Sequence, residues 1–233
     1  MKIKTIMCNT SQTFYDENVG VRLALATDEV ELLVVNIKHG PESMESAYDE
    51  AMAALSIIEQ VVLAESEGCD AVLIDCAADP VLYAAREISN LPVISAGEAS
   101  HHAAMMLCKR FSVITVLPVS AKLIYENIHK YGYVDRLASV RSANVPVLDL
   151  NNEEVATKAI YAEAIKAIEE DGAEGIVLGC TGMMAMRNKL EGMLGIPVIE
   201  PYSVGVQYAA AMVRLKLKQS KLAYEKPSDK KYI

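Results

Sequence analysis

Ala71-Val-Leu-Ile-Asp-Cys76-Ala-Ala-Asp-Pro80 and Gly175-Ile-Val-Leu-Gly-Cys180-Thr-Gly-Met183 are two versions of one pattern. Each is a short apolar run that ends at a cysteine and is followed by residues that open a helix. Short runs rich in Val and Ile are what parallel strands covered on both faces require. Downstream of each thiol come a helical stretch and then a second apolar run, Leu91-Pro-Val-Ile94 in one case and Ile196-Pro-Val-Ile199 in the other. Upstream of each lies a long amphipathic stretch ending near a glycine, over 46–68 and 153–172. Equivalent positions are roughly 105 residues apart, so the repeat has the size of a domain and not of a solenoid unit.

The same reading gives eight strands, near 2–7, 31–37, 71–75 and 92–95 in the first half and 111–116, 145–149, 175–179 and 196–199 in the second. Helices fill the intervals. After Ser46, residues Ala51, Leu55, Ile58 and Val62 recur at a 3.6-residue period and are expected to face the core. Ser46-Ala-Tyr-Asp49 has the form of a capping box. Asp79-Pro80 has that of an N-cap followed by proline at the first helical position. Asn152, with Glu153 and Glu154, opens the second long helix, the acids complementing its positive end.

Alternating strands and helices imply an α/β fold with two pseudosymmetric Rossmann-like halves, each holding a mostly parallel four-stranded sheet. The halves are expected over 1–98 and 99–202, with a helix over 203–220 packing back on the first half and a tail over 221–233. Ligands in such folds collect at the carboxyl ends of strands. Cys76, Cys180, Asn9-Thr10-Ser11 and Thr115 all fall at predicted strand ends and are expected to converge on a cleft between the halves.

Length and composition agree with this. The chain of 233 residues can form one large domain or two small ones, and 52% of it is hydrophobic. With no Trp and two Phe, its core must be filled by Val, Ile, Leu, Met and Ala. A net charge of −9 without a basic patch argues against a nucleic-acid partner. The lysine-rich stretch 216–231 reads as a solvated C-terminal extension. The opening Met1-Lys-Ile-Lys-Thr-Ile-Met7 lacks the apolar region of a secretory leader. No run reaches bilayer length, so no membrane partner is expected. Five cysteines without disulfide-framework spacing point to a reducing cytoplasm. Neither a zinc-ligand spacing nor a phosphate-binding glycine motif is present, so neither a metal nor a nucleotide cofactor is expected. The expected partner is a small-molecule substrate, and a homo-oligomer is compatible with the sequence.

A thiol is a usable proton shuttle near neutral pH, because an unperturbed cysteine has a pKa of about 8.5. A helix start lowers that value, and both Cys76 and Cys180 are predicted to precede one. Two thiols on opposite faces of a carbon acid can remove a proton from one side and deliver one to the other, inverting that carbon without a cofactor. The intermediate carbanion is an enolate when a carbonyl adjoins it, and Asn9, Thr10, Thr181 and Gly182 are placed to donate hydrogen bonds to its oxygen. Cys69 and Cys108 read as small core residues. Cys8 follows the first strand, where both a core and a cleft position are open. His101 and His102 are adjacent on a predicted helix and cannot share a face, and His39-Gly40-Pro41 reads as a plain turn.

Several segments together resemble the aspartate/glutamate/hydantoin racemase superfamily, with hydantoin and allantoin racemases the nearest in pattern. They include Asn9-Thr10-Ser11, Gly40-Pro-Glu-Ser-Met-Glu-Ser46, Cys76 with Asp79-Pro80, Gly97-Glu-Ala99, Arg110-Phe-Ser-Val-Ile-Thr115, Pro146-Val-Leu-Asp-Leu150 and Val177-Leu-Gly-Cys-Thr-Gly-Met183. The resemblance spans nearly the whole chain. It implies two-thiol racemisation by Cys76 and Cys180, with substrate contacts on Asn9 and Thr10, Ser43 and Met44, Thr115, and Thr181 and Gly182. The chain departs from the family pattern at Met7-Cys8, where Asn-Pro is usual, and at Ala77-Ala78, where Phe-Gly is usual. Gly182 stands where glutamate racemases carry histidine. That glycine, with the absence of the glycine-rich Asp-Ser-Gly opening of glutamate racemases, favours a 5-substituted hydantoin or allantoin-like ureide over a free acidic amino acid. The loss of the aromatic at Ala77-Ala78 bears on the pocket's size. An amino-acid racemase, a decarboxylase or isomerase of the same superfamily, and a two-lobed binding protein are the alternatives.

Overall fold

The computed structural model describes residues 1–228 and 230. The end of the expected tail, at 229 and 231–233, lies outside the described residues. Strands β1 (Lys2–Met7), β2 (Glu31–Asn36), β3 (Ala71–Asp75) and β4 (Val93–Ser95) form one sheet in the order β2-β1-β3-β4. Strands β5 (Phe111–Thr115), β6 (Leu137–Ser142), β7 (Gly175–Leu178) and β8 (Val198–Ile199) form a second in the order β6-β5-β7-β8. Every pairing is parallel. The two halves thus share one topology, as the repeated thiol pattern requires.

That topology fixes where a ligand can sit. In each sheet the chain crosses from the first strand to one neighbour and then returns to the other side, so the switch point lies between β1 and β3, and between β5 and β7. The crevice at such a point opens at the strand carboxyl ends. Cys8 follows β1 directly, and Cys76 follows β3 directly. Thr115 ends β5, and Gly179-Cys180 follows β7.

Eight α-helices cover the sheets: α1 (Gln12–Leu23), α2 (Ala47–Ser66), α3 (Leu82–Ile88), α4 (Ala96–Leu107), α5 (Pro118–Tyr131), α6 (Glu153–Glu169), α7 (Arg187–Leu194) and α8 (Pro201–Arg214). The last helix of each half packs across the molecule. α4, which follows β4, touches β7 and β8, and α8, which follows β8, lies on β1, β3 and β4. α4 and α8 also pack on each other, so α4 bridges the boundary expected at 98/99. One apolar cluster accordingly runs through both halves, from Leu73 and Tyr202 to Ile114 and Ile176. The outer faces of the sheets form separate clusters around Ile57 and Ile74, and around Phe111 and Ile128.

Three expectations need correction. The strand expected over 145–149 is Leu137–Ser142 instead, and Val147–Asp149 is a 3-10 turn. β6 is an edge strand with half-buried polar residues, so it lacks an apolar run, whereas Val145, Val147 and Leu150 are apolar because they plug the core from a loop. On α2 the buried face is Ala53, Ile57, Val61 and Ala64, while Leu55 is 71% exposed and Val62 59% exposed. The helix carries apolar residues on both sides, so periodicity alone chose the wrong stripe. Finally, the stretch after Arg214 stays largely exposed but is docked at particular points. Gln219 exchanges hydrogen bonds with both Val93 N–H and Val93 O, closing the open edge of β4. Lys221 Nζ donates to the Arg86, Glu87 and Ser89 carbonyls at the end of α3, where a cation complements the helix dipole. Among the described residues no helix is long and apolar enough to cross a membrane.

Candidate active site

The two switch points face each other, and a cavity of about 50 Å³ lies between them, lined by both Cys76 and Cys180. Each thiol is held there by local packing. Gly179 precedes Cys180 because a Cβ at that position would lie 2.6 Å from the Thr115 Cβ, while Thr115 Oγ1 donates to the Gly179 carbonyl at 3.0 Å. Cys180 then opens a 3-10 turn over Thr181–Met186 that runs into α7, and its sulfur accepts the Gly182 N–H at 3.4 Å.

Cys76 is followed by a turn of a different kind. The helix start expected at Asp79-Pro80 is not formed: α3 begins at Leu82, and Asp79 (φ 52°) and Val81 (φ 49°) are both left-handed. Such conformations are unfavourable for residues with a Cβ, most of all β-branched ones, and persist only where surrounding contacts enforce them. Here the Asp79 carboxylate does so. It turns inward and accepts the Gly97 N–H at 2.9 Å and the Tyr131 hydroxyl at 3.0 Å. It therefore caps α4 from a distance, in place of Ser95, whose side chain makes no cap bond. Gly97 permits this approach, since a Cβ there would meet Ala77 O at 2.3 Å. Burial pushes the Asp79 carboxyl up to about 7.

Of the residues expected to contact substrate, Asn9, Met44, Thr115 and Thr181 line the cavity together with the two thiols. Ser43, Thr10 and Gly182 do not. Thr10 uses both its N–H and its hydroxyl on Pro41 O, tying the first loop to the 38–46 segment. The Gly182 N–H is taken by Cys180 sulfur. Cys8 lies in the lining, buried and close to Cys76. Burial, contact with Cys76 and nearby acids all push its thiol well above the ordinary range. Burial likewise pushes Cys180 up to about 12, overriding the Gly182 N–H and the Arg22 charge that act the other way. Cys180 is thus a thiol in the free protein, contrary to what a helix start alone would give.

Sequence reasoning missed Phe14, Glu45, Asp75, Ser120, Leu123 and Val147, which also line the cavity. Glu45 and Ser120 latch the halves: Ser120 Oγ donates to Glu45 O at 2.8 Å, and Val147 N–H donates to Glu45 Oε1 at 2.7 Å. Glu45 had a sequence signal only as part of the segment Gly40 to Ser46, which matches the family pattern as a whole. The histidines lie outside the lining: His101 is buried against Tyr133 at 3.2 Å and held neutral by burial, its pKa lowered to about 3, and His102 is exposed.

With this geometry, comparison with known proteins decides the family. The family model described as Asp/Glu/Hydantoin racemase matches residues 3–209. The chain belongs to the Asp/Glu/hydantoin racemase family. It is 38% identical over 235 residues to a hydantoin racemase from Pseudomonas sp. (strain NS671), covering 100% of this chain and 94% of that one. Among solved structures it resembles the allantoin racemase from Klebsiella pneumoniae (TM-score 0.92, 35% identity, 99% of this chain and 95% of that chain). It also resembles that from Pseudomonas fluorescens (TM-score 0.94, 32% identity, 100% of both chains). The racemase is therefore an isomerase with the two-sheet α/β architecture of these enzymes, and the reading as a two-lobed binding protein gives way.

Proposed function

We propose that this racemase inverts a carbon acid next to a carbonyl in a cyclic ureide, a 5-substituted hydantoin or an allantoin-like ring, with Cys76 and Cys180 as its acid and base. One observation carries the reading: the thiols that follow β3 and β7 line a single cavity between the two halves. The relatives named as hydantoin and allantoin racemases support the ring chemistry. A proton is removed by one sulfur as thiolate, the electron pair moves into the adjacent carbonyl, and the other sulfur delivers its proton to the opposite face. Burial favours the protonated form of Cys180, which suits that thiol to the acid role in one direction. The reverse direction begins from the tautomer in which the proton has changed sulfur.

Two side chains suit the enolate oxygen. Asn9 accepts the Ser11 N–H with its Oδ1, which leaves its NH₂ group as the donor. Thr181 Oγ1 accepts from Arg22, so its own hydrogen is turned away from the guanidinium. Preorganised donors of this kind stabilise developing charge more than solvent does.

The test is separate replacement of each thiol by serine. Cys76→Ser and Cys180→Ser should each lose racemisation by at least about a thousandfold, since a hydroxyl is too weak an acid to act as base without activation. Each variant should still exchange the substrate hydrogen with heavy water for one enantiomer, and the two should prefer opposite enantiomers. Racemisation retained by either variant would sink the two-thiol mechanism.

A further inference from the structure

At the cavity floor lies a buried ion pair that this two-thiol reading does not use: Asp75 lines the cavity and Arg22 lies behind it. Arg22 reaches from the last turn of α1, entirely enclosed, and its Nε donates to Asp75 Oδ2 at 2.5 Å. Asp75 is the last residue of β3, immediately before Cys76. The other end of the guanidinium crosses to the second half, where Nη2 donates to Thr181 Oγ1 at 3.4 Å, immediately after Cys180. Arg22 is held in place by Asn18, whose carbonyl and side-chain oxygen both accept from Nη1 at 3.3 Å, and its guanidinium stacks 5.1 Å from the Tyr202 ring centre.

Burying such a pair is weak evidence for stability, because apolar residues of similar volume serve packing as well or better. The site also leaves a polar atom unpaired. Asp75 Oδ1 is buried with no hydrogen-bond partner among the described residues, while the Tyr202 and Thr5 hydroxyls lie beside each other. Thr5 and Asp75 lie on one face of the first sheet, by the register Thr5 with Leu73 and Met7 with Asp75. α8, which carries Tyr202, packs on that face. A buried carboxylate oxygen left without a protein partner calls for an explanation beyond packing.

We propose that the Arg22–Asp75 pair positions the two thiols: Asp75 fixes the end of β3 that carries Cys76, and Arg22 fixes the Thr181 turn that carries Cys180 and aims the Thr181 hydroxyl into the cleft. The inference rests on the two-thiol reading above. Both residues are positioning residues, acting through their sequence neighbours. The charged and titratable groups around the pair are Glu200 and Tyr202 from the start of α8, Cys8 after β1, and the two thiols themselves. Arg22 favours the Cys180 thiolate and Asp75 opposes it, so the two charges offset each other at the sulfur.

The test uses the full chain and three variants: Asp75→Asn, Arg22→Met, and the double replacement Arg22→Met with Asp75→Leu. Alkylation of Cys180 by iodoacetamide is followed against pH by peptide mapping, and racemisation of a hydantoin is measured from each enantiomer. Asp75→Asn keeps an acceptor for Arg22 but removes the offsetting charge, so the alkylation profile of Cys180 should move to lower pH. Arg22→Met should move it to higher pH. In both, kcat should fall at least about tenfold with KM changing much less, the mark of an interaction that matters after binding. The double variant removes the ion pair but keeps its volume. It should fold even if a single variant does not, and should still lose kcat by a similar factor. Unmoved alkylation profiles in folded single variants, or wild-type kcat in the double variant, would overturn the proposal. If the unaltered protein racemised no ureide, the substrate reading would fail, while the alkylation profiles would still report on the pair.

Discussion

Asp79 is the residue on which the first thiol loop turns, and its protonation should be visible in stability. Burial raises its pKa from 3.8 to about 7. Between those values the native state therefore holds the proton more tightly than the unfolded chain does, and the stability from this group is lost as pH rises through the window. His101 works in the opposite sense. Its pKa is lowered from 6.5 to about 3, so the unfolded chain binds more protons between these values and stability is gained as pH rises. Asp79→Asn removes only the first effect while leaving an acceptor for Gly97 N–H and Tyr131. Urea unfolding of the two proteins should diverge in favour of the variant by about 2–4 kcal/mol between pH 4 and pH 7. Parallel curves would show that the carboxyl ionises freely in the folded state. At this scale the sequence carried the thiols because a repeat marks them twice. Asp75 had no such mark. It acquires meaning only through Arg22, 53 residues away, and no local pattern announces a partner at that distance. The Cys180 pKa was misjudged for a related reason: a helix start can be read from Thr181-Gly182, but the packing density around a sulfur cannot.

Secondary-structure elements were legible where one physical requirement dominates. Strands β3 and β7 are covered on both faces and read as apolar runs up to their carboxyl ends, β1 and β5 keep Ile and Val between buried polar residues, and Ser46 with Asp49 forms the reciprocal capping box that its spacing implies. Elements with divided demands were misread. The edge strand β6 has one half-exposed face, while the loop beyond it is apolar because it fills the core. Helix α2 has apolar residues around most of its circumference, and only contact with β1, β3 and α3 selects Ala53, Ile57, Val61 and Ala64 as the inward ones. This assignment is testable by paired truncations. Ile57 is 0% exposed, so Ile57→Ala should cost about 2–5 kcal/mol. Leu55 is 71% exposed, so Leu55→Ala should change unfolding free energy by about 0.5 kcal/mol or less. Equal losses in chemical denaturation would mean that the outward face of α2 is covered in solution.

For the whole molecule, the exchange of α4 and α8 between the sheets joins the halves into one body, and the polar latches on either side of the cleft then set how far it opens. On the β3 side, Asn127 Nδ2 donates to Ala78 O at 2.6 Å and Tyr131 donates to Asp79, both reaching from α5 to the Cys76 loop. On the other side, Glu45 holds Ser120 and the Val147 N–H. The space between the thiols, about 50 Å³, is below the roughly 300 Å³ at which small-molecule sites begin, so seating a ureide ring calls for the cleft to widen at a latch. Glu45 is the latch best suited to that role, because it is carried by the 38–46 loop and not by a helix, and Thr10 is the chief tie between that loop and the sheet. Glu45→Ala deletes the acceptor for Val147 N–H, a charge-assisted bond whose loss is worth about 1–3 kcal/mol. That energy biases the cleft toward the open form, in which both sulfurs meet solvent. Alkylation of Cys76 and Cys180 should then accelerate at least about fivefold, while Cys69 and Cys108, which lie outside the lining, keep their rates. Substrate should bind less tightly, because the closed form no longer holds it. A uniform increase across all four cysteines would indicate general loosening of the fold, and unchanged rates would show that the cleft opens elsewhere, by release of the Asn127 and Tyr131 contacts.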